Sequence, residues 1–283
     1  MSLCKATISQ TAFLLKRKEA VSVFYVLLLM VAADFIGNVL YFQGRDRAMM
    51  VQPMRLLLLS YDRTNLNADN TLLLILLYPL LVVCPAGFSF VREQQLGVGV
   101  YFVSRQGRAV YHTSRLLSAF LTTMLVFTAP FLLEILLNCI SFPLSATGNL
   151  ANLSAYDSEY INGINRYLMK NIYLASPYLY AVAGTLLFGA VSGLLGAFTL
   201  AVSSFVRVRY RILLFLPVFV LLNLSAGWPG SLRQAGPSIK WYDYLLLFNN
   251  EAKNTGFGAA VVLALLLFSV IAARVGGRKD CLQ

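Results

Sequence analysis

Charged side chains are sparse in this 283-residue chain, so the few that interrupt its hydrophobic runs are where chemistry has to be sought. Asp34 falls inside the apolar run 21–42. At the centre of a bilayer an ionised carboxylate costs at least about 2.5 kcal/mol, so it has to face protein or a water-filled path. Two roles fit: lining a translocation path that attracts a cationic group, or a structural one, hydrogen bonded to a polar group of a neighbouring helix or lying shallower than the middle of the span. Glu134 lies near the end of a later run and is expected to reach the interface. The one histidine, His112, excludes catalysis by a histidine pair and a multi-histidine metal site. It is expected in a loop facing water or headgroups. Cys4, Cys84, Cys139 and Cys281 lie far apart without CxxC spacing, which suggests neither a zinc site nor a disulfide framework.

The sequence carries no Gly-x-x-x-x-Gly-Lys-Ser/Thr phosphate loop and no Gly-x-Ser-x-Gly elbow, and no paired intramembrane carboxylates are evident. The chain is therefore not expected to be an enzyme or to bind ATP itself. The densest polar stretch is instead an island at 92–115, between the second and third hydrophobic runs. It holds Arg92, Glu93, Gly97, Ser104, Arg105, Arg108, His112 and Arg115 around an apolar stretch that includes Tyr101 and Phe102. A turn between two membrane spans needs only a few residues, so a segment of this length and amphipathicity reads as a docking element.

The elements that position these residues follow from composition. With 58% hydrophobic residues, 12% charged residues and a mean hydropathy of +0.70, the chain has more apolar surface than one soluble core can bury. An all-α integral membrane protein is expected. The net charge of +11 comes from basic residues spread singly around the hydrophobic runs, which fits positive-inside bias and not nucleic-acid binding. Six runs are long enough to cross about 30 Å of hydrocarbon as helices: 21–42, 72–90, 116–137, 178–205, 212–228 and 257–273. With both termini inside, the shorter inner segments carry the larger share of the Lys and Arg.

Residues 1–20 place Leu3, Ala6, Phe13 and Leu14 at roughly helical spacing before Lys16-Arg17-Lys18. This predicts an amphipathic helix on the inner leaflet, the alternative being a simple basic stop signal. The rest, 21–283, reads as one six-span domain. In its last outer segment, the apolar 241–248 stretch predicts short helices or a re-entrant excursion, or else an interfacial aromatic belt. Gly189-x-x-x-Gly193 in the fourth run allows another helix to approach closely, within the chain or across a dimer seam. Pro79, Pro85, Pro130 and Pro217 interrupt helical hydrogen bonding within runs and shape the bundle.

The six runs, the basic N-terminal segment and the island together resemble the permease subunits of the ABC-2 type transporter family. The resemblance rests on Glu93, Gly97, Ser104, Arg105, Arg108 and Arg115, and on a span pattern that covers nearly the whole chain. Gln106 stands where that family often has proline, and the spacing from Gly97 to Arg115 is one residue short of its pattern. The resemblance implies an exporter subunit in the cell membrane with both termini cytoplasmic. It also implies an N-terminal connecting helix and a coupling helix in the island, whose Glu93, Gly97, Tyr101, Phe102, Ser104, Arg105 and Arg108 would contact a separate ATP-binding subunit. Two such subunits, holding ATP and magnesium, would pair with two permease copies, with no cofactor in this chain. The competing expectation is a self-contained ion-coupled carrier or scaffold.

Overall fold

The computed structural model describes residues 3–44, 52–60, 68–95, 107–143, 166–203, 211–226, 240–249, 251 and 253–279. Their regular structure is helical: α1 (Leu3–Leu15), α2 (Lys18–Phe42), α3 (Ala68–Gln95), α4 (Arg108–Ser141), α5 (Lys170–Ala175), α6 (Pro177–Ser203), α7 (Phe215–Ala226), α8 (Trp241–Leu245) and α9 (Thr255–Lys279). Two 3-10 turns, Pro53–Leu56 and Arg211–Leu214, complete them.

Four helices, α2, α3, α4 and α6, carry stretches long and apolar enough to cross a membrane. Their outward faces expose large apolar side chains such as Leu29, Leu40, Leu76, Leu136 and Leu186. In water that surface would be costly; against lipid it is matched, so the chain is membrane-embedded. Of the fifth run, the described residues form a 3-10 turn followed by the 12-residue α7, about 18 Å of helix, and the sixth run lies within the continuous helix α9. Pro217 stands in the first turn of α7, where its missing N–H leaves no helical bond unmade. In α9 the apolar stretch, Thr255–Ile271, is shorter than the four others.

The antiparallel pair α4 and α6 forms the spine, and the glycines of α6 set its closeness. A Cβ on Gly193 would lie 2.7 Å from the Phe120 carbonyl oxygen, and one on Gly196 would lie 2.5 Å from Thr123 Oγ1. A Cβ on Gly189 would collide with Thr128 Oγ1. The threonine hydroxyls therefore sit in the glycine notches. The Gly-x-x-x-Gly face is spent inside one chain. Beside this seam, Tyr78 of α3 packs with Phe127 of α4 and Phe188 of α6, and its hydroxyl shares a 2.9 Å hydrogen bond with Ser192.

The N-terminal segment is helical, as expected; of its four expected apolar contacts Ala6 and Leu14 are buried, while Leu3 and Phe13 are exposed. α1 buries Ala6, Thr7, Thr11 and Leu14, while Ile8 and Phe13 are exposed. It packs mainly on α4, where Ser118 donates to Gln10 Oε1 at 3.4 Å. At Arg17 the chain turns through an extended residue into α2.

Gly193→Ala is expected to force the α4–α6 seam apart, because the clashing atom is backbone. Overpacking of this kind costs about 1–3 kcal/mol. A lowered melting temperature of the full chain in detergent checks it; an unchanged one would mean the seam is looser than the notch geometry requires.

Candidate functional site

The most polar part of the interior lies at the end of the bundle opposite residue 107. There the C-terminal halves of α2 and α4 meet the start of α3. Between them is wedged a short irregular segment, 53–60, in which Met54, Leu56, Leu57, Leu58, Leu59 and Ser60 are all buried. Backbone outside a helix at such depth has N–H and C=O groups that neither lipid nor bulk water can serve. Side chains serve them instead. Asn38 donates from Nδ2 to the Leu56 carbonyl at 2.8 Å, and Thr71 donates from Oγ1 to the Leu58 carbonyl at 3.1 Å. The Leu58 N–H donates to Glu134 Oε1 at 2.6 Å.

Asp34 stands behind this contact set. It is 1% exposed and accepts from Asn38 Nδ2 at 3.0 Å and from Asn70 Nδ2 at 3.4 Å. Of its two sequence-derived roles, hydrogen bonding to neighbouring polar groups is the one whose contacts are present. Glu134 corrects the expectation that it reaches the interface: it is 1% exposed and committed to the Leu58 N–H. The reading that no intramembrane carboxylates pair also changes. Helix packing brings Asp34 and Glu134 onto the two flanks of one buried turn, a juxtaposition that no local spacing announces.

A second irregular segment closes over the first. The Leu247 N–H donates to the Leu59 carbonyl at 2.8 Å, and Ser60 and Leu247 form a parallel β-bridge. Just before it, α8 inserts Trp241 into the bundle, where its ring stacks on Tyr78 at 4.7 Å. Tyr78 lies ten residues along α3, about 15 Å from its start, so the 241–248 stretch reaches well into the bundle instead of lying as a belt. Phe248 holds a positive φ of 54°, a conformation costing about 1–3 kcal/mol for a non-glycine residue. The rings of Tyr167, Tyr173 and Tyr180 enclose its side chain at 5.3–6.0 Å and hold it there.

Next to this segment Asn249 donates from Nδ2 to Asp243 Oδ1 at 2.7 Å, and Lys253 Nζ donates to the Asn249 carbonyl at 3.2 Å. Burial pushes the Lys253 amine down to about 8 from 10.5, with Asp243 opposing the shift.

At the other end of the bundle, the island is described only at its margins. Arg92 and Glu93 belong to the last turns of α3, and Arg108 is the first residue of α4. Gly97, Tyr101, Phe102, Ser104 and Arg105 lie outside the described residues. His112 is in α4 and half-buried, its ring 5.3 Å from that of Tyr111, which replaces the expected loop position. Arg115 is buried, with Nη1 donating to the Tyr111 hydroxyl at 2.5 Å and the guanidinium over the same ring. Among the described residues no three His, Cys, Asp or Glu side chains group as metal ligands.

Two outcomes test this site. Glu134→Leu leaves the Leu58 N–H buried without an acceptor and should destabilise the chain by about 1–3 kcal/mol, while Glu134→Gln retains an acceptor oxygen and should cost less; melting curves of both variants in detergent compare them. For Lys253, the unfolded chain holds the proton up to about pH 10.5 and the folded chain only to about pH 8. The unfolded state binds more protons between these values, so stability rises with pH there. The melting temperature of the native chain should gain on that of Lys253→Met across that window; parallel curves would contradict it. Comparison with known proteins finds no match to the chain, whether among family models, curated proteins or solved structures, so its function is read from this geometry.

Proposed function

We propose that the chain is the permease subunit of an ATP-driven exporter of the ABC-2 type, acting in the cell membrane with both termini cytoplasmic. In this reading α2, α3, α4 and α6 are four of six spans, and the runs containing α7 and α9 supply the other two. The 92–115 island is the contact for a separate ATP-binding subunit, which holds the ATP and magnesium, and two copies of each subunit make the transporter. The chain has no phosphate loop of its own and would act as the membrane part of the complex.

The observation that carries this reading is the platform around the island. The apolar run of α3 gives way to Arg92 and Glu93, yet the helix continues to Gln95, and α4 resumes as helix at Arg108. At that same end α1 packs along the beginning of α4. Rigid helices on both sides of a short amphipathic connection, braced by a third, suit a segment that has to transmit force from a soluble partner. ATP-driven closure of the two partner subunits would press on the two islands and tilt the helices behind them.

A second reading, a self-contained ion-coupled carrier or scaffold, is favoured by one observation, the buried carboxyls of Asp34 and Glu134. Such residues inside a membrane bundle are common in ion paths. In that reading Asp34 lines the path and the chain needs no ATPase.

Replacing Tyr101 and Phe102 together by Asp separates the readings. The protein should still insert and purify as a folded bundle, but an ATP-binding protein that accompanies the native chain through mild detergent should be lost. Retained association together with ATP-dependent transport would remove the coupling role from these residues. A native chain that brings down no ATPase at all would favour the carrier.

A further inference from the structure

The bundle contains the same small pattern twice. On α2, Asp34 is followed four residues later by Asn38; on α4, Glu134 is followed four residues later by Asn138. This spacing puts acid and amide on one helix face, one turn apart. Both pairs border the buried 53–60 turn, but they are not in the same condition. The α2 pair is closed: Asn38 donates to both Asp34 and the Leu56 carbonyl. The α4 pair is open. Glu134 spends Oε1 on Leu58 and has no partner for Oε2 among the described residues. Asn138 is 0% exposed and likewise has none for either Oδ1 or Nδ2.

Antiparallel packing adds a third group. Gly196 opposes Thr123 and Gly189 opposes Thr128, a register that brings Thr185 of α6 to the level of Glu134. Thr185 Oγ1 is also buried without a partner. Unmet buried polar atoms on this scale call for an occupant. A carboxylate oxygen, an amide oxygen and a hydroxyl oxygen make a hard-cation donor set.

Charge specifies the occupant further. Among the described residues the junction holds two carboxyls, Asp34 and Glu134, and one guanidinium, Arg55, on the 53–56 turn. Counted over these three groups with both carboxyls ionised, the cluster is one charge negative. We propose that the Glu134–Asn138 pair is a binding site for a single monovalent cation, delivered either as an alkali ion between Glu134 Oε2 and Asn138 Oδ1 or as a proton on Glu134. The occupant neutralises the junction and firms the hold of α4 on the buried turn. This site is at the opposite end from the island and does not depend on the coupling role proposed there.

Among the described residues the other charged groups around it are the exposed Asp69 at the start of α3 and, on the neighbouring segment, Asp243 and Lys253. The test is the melting temperature of the full chain in detergent, titrated with sodium or potassium chloride at constant ionic strength against choline chloride, and separately titrated with acid in the absence of alkali ions. A saturable rise of roughly 5–10 °C at a hundredfold excess over Kd is expected in one of the two series. Glu134→Gln, which keeps an acceptor for Leu58, should abolish it. Asn138→Leu leaves the Leu58 bond untouched and should weaken an alkali response at least tenfold in apparent Kd, while sparing a pure proton response. A rise with alkali ions identifies the metal ion, and a rise with acid alone identifies the proton. Absence of both, or a response that survives in Glu134→Gln, overturns the site. If Glu134→Gln does not fold, an alkali response with unchanged Kd in Asn138→Leu, or an acid response that Asn138→Leu removes, overturns it equally.

Discussion

An unwound segment buried inside a helical bundle has to find its hydrogen-bond partners within the protein, and the architecture at this end of the chain follows from how residues 53–60 do so. A helix satisfies its backbone by itself; this turn cannot. Its carbonyls and N–H groups are taken by Asn38, Thr71 and Glu134 from three helices and by Leu247 from a second irregular segment. Each bond ties a different element to the same eight residues. α2, α3 and α4 are thereby held at one end by polar contacts, while the other end is held by the packing of α1 against α4.

Polar satisfaction also explains why acids are tolerated here. Burying an unpaired carboxylate is expensive, and replacing it by an apolar side chain would ordinarily stabilise a membrane bundle. Glu134 and Asp34 escape that logic because removing either strands groups that it serves: the Leu58 N–H in one case, Asn38 and Asn70 in the other. Their acceptor oxygens are part of the scaffold. The open pair at Glu134 and Asn138 is the exception, holding polar atoms beyond what the scaffold uses.

Much of the frame was legible in the residues. Four of the six apolar runs are helices of spanning length, the N-terminal segment is helical, and the glycine face of α6 packs closely within the chain. Asp34 stood out because a charge in the middle of an apolar run has few tolerable explanations. Glu134 was misjudged because depth was inferred from its position near the end of a run, whereas α4 continues to Ser141 and a buried turn packs against its side. The 53–60 turn lies in the connection between the first two hydrophobic runs, where Pro53 and Arg55 border an apolar stretch too short to register as a span. Its signal, in hindsight, was Leu56-Leu-Leu-Leu59 in a connection that had no need of four consecutive leucines. Juxtaposition of Asp34 and Glu134 on the two flanks of the turn is a tertiary fact, invisible to any reading of local spacing.

The helix α4 joins the two ends of the molecule. Its 34 residues span about 51 Å, well beyond a hydrocarbon core, with Arg108 at one end and Asn138 near the other. From Phe120 to Thr128 it is locked to α6 by the glycine notches, which leave almost no room for sliding. Pro130 comes directly after that locked stretch and removes one helical hydrogen bond just before Glu134. If force enters near Arg108, the locked pair has to move as a body, and the first place where α4 can bend is the proline. The segment beyond it is the one that grips the 53–60 turn. A displacement begun at the island would therefore be felt at the opposite end as a change in how Glu134 holds Leu58, which makes that single hydrogen bond the natural place for the two ends to communicate.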